Sequence, residues 1–456
     1  MSSTPTAPQW SSHFAFMMAS IGTAVGLANI WRFPYTTGTN GGGAFVFIYI
    51  VAALSIAMPV LIAELMVGRR GRNSPPQAIA TVARESRGNP LWRHMGNLGV
   101  FGAILVLSFY AIVGGWTMAY VLELASGKLQ GMDAGAVAGV FENLQAAPGL
   151  ILFWHILFLA LVVGISSLGL AGGVERLVKI VMPLLFVMLL LMVGYAAWIG
   201  DFSAAWAFLF TPDFSKVTPG VVLEATGQAF FSISVGLTNL MVYGAYMNKN
   251  TSIPRSSVTI VAADTLVALL AGLAIFPIIF AFGLNPAEGP GLVFVSLPVA
   301  FAQMPAGALL GALFFTLLFF AALTSAICML EVPTSWLVNK TNWSRRRATF
   351  CAGSLAWGLG ILAALSFNLL ADVYPLGFIP AFATTTFFGL FDYFTSNIAM
   401  PLGGIFVVLF VGWVVARHVS ADELGWSQQS NRYRLWLWVS RVVAPGVLVL
   451  MFINNF

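Results

Sequence analysis

Eleven long apolar runs, each of about 20 residues or more, leave this chain one class of fold. They cover roughly 11–37, 41–68, 91–125, 148–168, 174–198, 221–247, 254–284, 305–338, 345–367, 387–417 and 433–454. An unpaired peptide group in hydrocarbon costs several kcal/mol, so each run must close its own hydrogen bonds as a helix. A buried soluble core is the other way to hide apolar runs. Only 8% of the residues are charged, however, against about 25% in ordinary soluble domains. The expectation is an all-α polytopic membrane protein, one membrane domain over 1–456. Residues 1–10, MSSTPTAPQW, carry no basic region, so the first run is expected to serve as its own targeting signal.

Loop charge sets the orientation. One face collects Arg69, Arg70, Arg72, Arg84, Arg87 and Arg93, then Arg176 with Lys179, Lys249 with Arg255, Lys340 with Arg345, Arg346 and Arg347, and finally Arg417, Arg432 and Arg434. The other face receives only Lys128 and Lys216. By the positive-inside rule the N-terminus is cytoplasmic, and an odd number of spans puts the C-terminus outside. The expected location is the cell inner (plasma) membrane. Cys328 and Cys351 fall in apolar runs and read as small buried hydrophobes, not as a disulfide or metal pair. The four histidines show no ligand spacing. The outward loops 126–147, 199–220 and 368–386 are apolar enough to fold over the bundle as lids.

Two runs are interrupted. The first contains GTAVGLANIWRFP at 22–34, crowding Gly22, Gly26, Asn29, Arg32 and Pro34 into a would-be membrane helix. The sixth contains GQAFFSISVGLTN, with Gln228, Ser232, Ser234, Gly236 and Asn239. VGLANI at 25–30 echoes VGLTNL at 235–240, five spans apart, as two five-span repeats of inverted topology would place them. Unwound backbone at membrane depth survives only around a cavity whose ligand takes up the freed groups. Half-helix N–H groups suit an anion and half-helix carbonyls a cation. Facing breaks therefore point to a solute bearing a carboxylate with a small hard cation beside it. Gly22 and Gly26 alone also fit a GxxxG packing face.

Ionisable groups at membrane depth are candidates for function: Arg32, Glu64, Glu224, Asp264, Glu331 and Asp392. Arg32 and Glu64 also fit interfacial snorkelling, and Glu224 fits an outer helix end. Thr324 and Ser325 share a helical face with Ala321; such hydroxyls either bond back to the preceding turn or offer oxygens to sodium. Tyr110, inside the third run, needs a polar partner if buried.

GTAVGLANIWRFP followed by NGGGAF at 40–45 resembles the signature of the neurotransmitter:sodium symporter family, and GQAFFSISVG and FFAALTSA resemble that family's sixth and eighth spans. The resemblance covers about 10–450. It implies the leucine-transporter-type fold with broken helices 1 and 6: a first repeat at about 11–198, an inverted second repeat at about 221–417, and an extra helix at about 433–454. It also implies sodium-coupled uptake of amino acids or related amines. A first sodium site would use the Ala24 carbonyl, Asn29, Ser232, Asp264 and the substrate carboxylate. A second would use the carbonyls of Gly22, Val25 and Ala321 with the hydroxyls of Thr324 and Ser325. Substrate would lie against Ala24, Gly26, Val106, Tyr110, Phe231, Ser232, Ser234, Leu237, Ser325 and Met329. An outer gate would pair Arg32 with Asp392 over Tyr110 and Phe231. Trp10 and Tyr246 would sit near the inner gate.

The departures from the family pattern are informative. Asp264 stands where most relatives have asparagine. Tyr49, Gln228 and Ser232 match a chloride site, but its other hydroxyl position is Ala268. A fixed charge at Asp264 replaces the anion's role, so chloride-independent transport is expected. Ala7 and Asn339 replace the inner-gate ion pair, which leaves that gate to packing. Gly26, where amine carriers place an acid, favours an α-amino acid, and the walls Val106, Phe231, Leu237, Ala326 and Met329 favour an apolar side chain. Ala28 and Thr238, where relatives often have glycine, favour small or mid-sized aliphatic ones. Nothing suggests an enzyme, a nucleic-acid partner or an obligate protein partner; the expected partners are an amino acid and the lipid bilayer. A proton-coupled carrier of the same fold, or a transporter-like sensor or channel, is the alternative.

Overall fold

The computed structural model describes residues 8–454. Among them there is no strand, and nine helices are long and apolar enough to cross a membrane: Gly43–Gly71, Pro90–Ala125, Pro148–Ser167, Leu170–Ile199, Ile253–Ala281, Gly307–Thr341, Arg345–Leu365, Phe387–Val414 and Asn431–Asn454. They correspond to spans 2–5 and 7–11 of the sequence reading, with ends shifted by a few residues. Span 1 is the pair His13–Ala24 and Ala28–Thr39, bent by 45°. Span 6 is split into Pro219–Ile233 and Asn239–Ala245, each too short to cross alone. The architecture is compatible with eleven crossings.

Burial separates an inner from an outer layer. In spans 3 and 8 the central windows are 83% and 78% buried, whereas spans 4, 5 and 11 reach only 33–39%. What those outer helices expose is apolar, Phe153, Ile180, Leu190, Leu191 and Leu450 among them, as contact with acyl chains requires. Spans 3 and 8 pack along each other through the middle of the molecule, with the two interrupted spans beside them. Small residues set the closest approaches. A Cβ on Gly68 of span 2 would lie 1.9 Å from the Met241 carbonyl oxygen of the second half of span 6.

Two of the three loops read as lids carry helices, Ala134–Ala146 and Phe202–Phe210, whereas 368–386 holds only the single turn Pro380–Phe382. The connection between spans 7 and 8 adds a helical segment at Leu292–Gln303, and Pro75–Glu85 lies between spans 2 and 3. Cys328 is buried as expected, but Cys351 is exposed on the outer face of span 9, where an apolar run meets lipid instead of core. That corrects the reading of both cysteines as buried.

Candidate functional site

Span 1 stops at Ala24, and Val25 leaves helical geometry at φ −74°, ψ 87°. The peptide groups this frees are taken up by side chains, most of them from other spans. The Ser325 hydroxyl of span 8 lies 3.2 Å from both the Gly22 and the Thr23 carbonyl, and the Ser234 hydroxyl donates to Thr23 O at 3.2 Å. The Gly26 N–H donates to Asn29 Oδ1 at 3.3 Å, and the Leu27 N–H to the Tyr110 hydroxyl of span 3 at 3.3 Å. Glycine is what lets these hydroxyls approach: a Cβ at 26 would stand 2.6 Å from Ser325 Oγ and 3.1 Å from the Tyr110 oxygen and would displace them. Here Gly26 faces hydroxyls from two other spans, not an apolar packing seam.

Span 6 breaks more sharply. Ser234, Gly236 and Thr238 have φ of 59°, 93° and 59°. A β-branched residue in the left-handed region is a true outlier. Thr238 is pressed against span 3, where a Cβ on Gly99 would lie 2.5 Å from its Oγ1. Glu64 of span 2 is fully buried and accepts the Gly236 N–H at 2.7 Å, so it does not snorkel. Gln228 ties the breaks together, its Nε2 donating to the Ala28 carbonyl at 2.9 Å.

Between the breaks lies Asp264, fully buried on span 7. Its Oδ1 accepts from Asn29 Nδ2 at 2.8 Å. Its Oδ2 accepts from the Ser232 hydroxyl at 2.5 Å and the Tyr49 hydroxyl at 3.1 Å. One carboxylate thus spans the asparagine of span 1 and the hydroxyl pair contributed by spans 2 and 6. Nearby, Thr324 does bond back along its helix, to Phe320 O at 3.2 Å and Ala321 O at 3.1 Å, whereas Ser325 reaches across to span 1. Of the apolar candidates, Ala24, Val25, Val106, Leu237, Ala321 and Met329 are all buried.

The two ends of the site differ. On one side a cavity of about 290 Å³ is lined by Tyr110, Phe231, Arg32 and Asp392 and roofed by Phe141, Gln145 and Pro290 of the ordered loops. The Arg32 guanidinium stacks 4.4 Å over the Phe231 ring. Arg32 and Asp392 form no ion pair here, and Asp392 accepts instead from the Ser396 hydroxyl at 3.0 Å.

The other side is tightly packed and sealed. Trp10 is buried under span 6, its Nε1 donating to Tyr243 O at 3.1 Å and its N–H to Tyr246 O at 3.0 Å. The Tyr246 hydroxyl donates to Glu331 Oε1 at 2.6 Å, and Arg345 grips both oxygens of that carboxylate. The next residue, Ser11, anchors through its N–H to Glu175 Oε1 at 2.8 Å. This seal is therefore ionic as well as packed, contrary to the expectation drawn from Ala7 and Asn339. Ala7 lies outside the described residues, and Asn339 binds Asn73 at the surface. The Glu331–Arg345 pair was half visible, since Glu331 stood in an apolar run without a companion. The Ser11–Glu175 contact, 164 residues apart, left no signal.

The comparisons with known proteins agree. The model of the sodium:neurotransmitter symporter family matches residues 7–136 and 136–456. An uncharacterized sodium-dependent transporter of Bacillus subtilis, YhdH, is 35% identical over 98% of this chain and 97% of its own length. A second, from Haemophilus influenzae, is 34% identical over the same shares. The crystal structure of MhsT in complex with L-phenylalanine superposes with a TM-score of 0.90 at 39% identity, covering 98% of this chain and all of that one. Its fold is the leucine-transporter type. With its interrupted spans, its buried carboxylate between them and relatives that match from end to end, the chain belongs to the sodium:neurotransmitter symporter family and is a sodium-dependent transporter of the membrane.

Proposed function

We propose that this transporter imports apolar α-amino acids together with sodium and without chloride. The observation that carries the reading is the Asp264 carboxylate, shared between Asn29 and the Ser232–Tyr49 hydroxyls. A negative charge built in at that point, in low dielectric, offsets a sodium ion without a mobile anion. The first sodium would take the Ala24 carbonyl, Asn29, Ser232, Asp264 and the substrate's carboxylate. The second would take the carbonyls of Gly22, Val25 and Ala321 and the hydroxyls of Thr324 and Ser325. Those hydroxyls spend their protons on carbonyls and keep lone pairs for a cation.

The substrate carboxylate would meet Tyr110 and the amides of the span 1 break, with its side chain toward Val106, Phe231, Leu237 and Met329. The L-phenylalanine in MhsT supports an apolar amino acid. The strained Thr238 supports a stiff break and, with Ala28, a small or mid-sized aliphatic side chain. Because the substrate completes one ion's shell, each ligand raises the other's affinity equally. A potential of 100 mV adds roughly 2.3 kcal/mol per net charge carried inward. Phe231 and Arg32 closing toward Asp392 would seal the outer path, and release of Trp10 and the Glu331 network would open the inner one. Helices of the first repeat, 11–198, would then rock against the scaffold, with 433–454 outside the exchange. The arginines gathered at the Trp10 end support a cytoplasmic N-terminus in the plasma membrane.

Thermal stabilisation by a panel of amino acids in sodium, potassium or choline tests substrate and cation together. Uptake into vesicles tests the rest. Wild-type uptake is expected to persist when gluconate replaces chloride, whereas Asp264→Asn loses sodium affinity roughly a hundred-fold or more in gluconate. Wild-type uptake that collapses without chloride overturns the reading. Uptake indifferent to sodium but driven by a pH gradient replaces it with proton coupling.

A further inference from the structure

Away from the substrate path, the Trp10 end carries a second polar cleft. It has two adjoining lobes of about 740 and 990 Å³ that share Lys249–Ser252, Arg255 and Thr259. Around them stand Arg72, Lys249, Arg255 and Arg432, and among the described residues none of the four is in an ion pair. Residues 1–7, MSSTPTA, hold no acidic side chain that could neutralise them. The one carboxylate in the lining, Glu423, is already engaged by Arg69 and Arg70.

Two further features narrow the ligand. Ser256 is 2% exposed, lines the cleft, and has a hydroxyl with no hydrogen-bond partner. It sits in the first turn of span 7, where Ile253 and Arg255 present N–H groups unclaimed by the helix. The floor is thus a ready set of donors for an oxyanion, under a positive rim. The flank is different: Pro254, Val258, Leu424 and Trp426 line the second lobe, and Val258 is 52% exposed on the face of span 7. A soluble anion has no use for an apolar flank, and a lipid has use for both.

We propose that this cleft binds the phosphate of an anionic phospholipid, with an acyl chain along Val258. The proposal rests on the orientation given above only for which leaflet supplies the lipid.

The test is a titration of phosphatidylglycerol into micelles of the purified full chain, read as thermal stabilisation, with phosphatidylcholine as the neutral lipid and inorganic phosphate and glycerol phosphate as soluble anions. Phosphatidylglycerol is expected to stabilise and phosphatidylcholine not. Each cation near a membrane surface is worth about five-fold in affinity, so Lys249→Gln/Arg255→Gln/Arg432→Gln should move the midpoint about a hundred-fold. Ser256→Ala should move it about three- to ten-fold. The matched control Arg84→Gln/Arg93→Gln/Arg346→Gln, also exposed at this end, should leave it in place. Equal stabilisation by phosphatidylcholine, or an equal shift in the control, overturns the site. Equal potency of inorganic phosphate overturns the lipid. Sodium-dependent stabilisation by amino acids, measured on the same variants, reports the transport site separately.

Discussion

The Arg32 end and the Trp10 end of the site are held by different physics. At the first, a half-buried arginine rests on an aromatic face and an exposed aspartate stands apart from it, leaving a cavity between. At the second, a buried indole is held by two backbone contacts, and a fully buried glutamate is held by a tyrosine and an arginine. The Arg32 end is built from groups that water can solvate when apart, so keeping them apart costs little. The Trp10 end is built from groups that cannot part without stranding a charge. The Arg32 end is therefore the cheaper of the two to open.

Four changes press on that contrast. Glu331→Gln is expected to do the most, since it leaves Arg345 without its counter-charge at a cost of about 3–5 kcal/mol if the arginine stays in place. Cys328, buried beside the Asn239 carbonyl, is a native reporter. In a Cys351→Ser background its reaction with a small thiol reagent should speed up on the order of a hundred-fold, and an unchanged rate would show that the network does not hold the seal. Trp10→Phe keeps a ring but drops the N–H to Tyr243, so about 1–2 kcal/mol and a roughly ten-fold rise in the same rate are expected. Asp392→Asn touches only the open end. Substrate should dissociate outward no more than a few-fold faster, with no change at Cys328, and a large effect there would mean that the two ends are coupled more tightly than their contacts suggest.

The smallest effect lies at the surface of the Trp10 end. Hydrogen bonds from Arg70 hold the Glu85 carboxyl below the usual glutamate range, against a smaller opposing cost of burial. A lowered pKa contributes stability that is complete above the ordinary value and fades as pH falls through the lowered one. Melting curves of wild type and Glu85→Gln should therefore coincide more closely below about pH 4 than at neutrality. A gap that widens in acid contradicts the assignment.

How much of this the sequence carried depends on the distance over which a residue acts. The break in span 1 was legible because its cause is local: Gly22, Gly26, Asn29 and Pro34 each disfavour a membrane helix. Asp264 was legible for the same reason, as a lone charge in an apolar run. The partner of Glu331 was not, because a helix period cannot say which arginine of the next span turns toward it. Nor could composition place Ser11 on Glu175, or reveal that Cys351 faces outward, since lipid and protein core select the same apolar residues. Thr238 was read only as favouring smaller substrates; its left-handed backbone is a tertiary override that no propensity would have suggested.

That threonine also constrains which mutations its neighbour can accept. Span 3 leaves room at 99 for a hydrogen atom and nothing larger while the threonine side chain is present. Positions 99 and 238 are therefore coupled: a methyl group at 99 collides with the threonine side chain, and a glycine at 238 removes that collision and also relieves its own backbone. Bulk on one side of this contact is thus tolerated only where the other side is small.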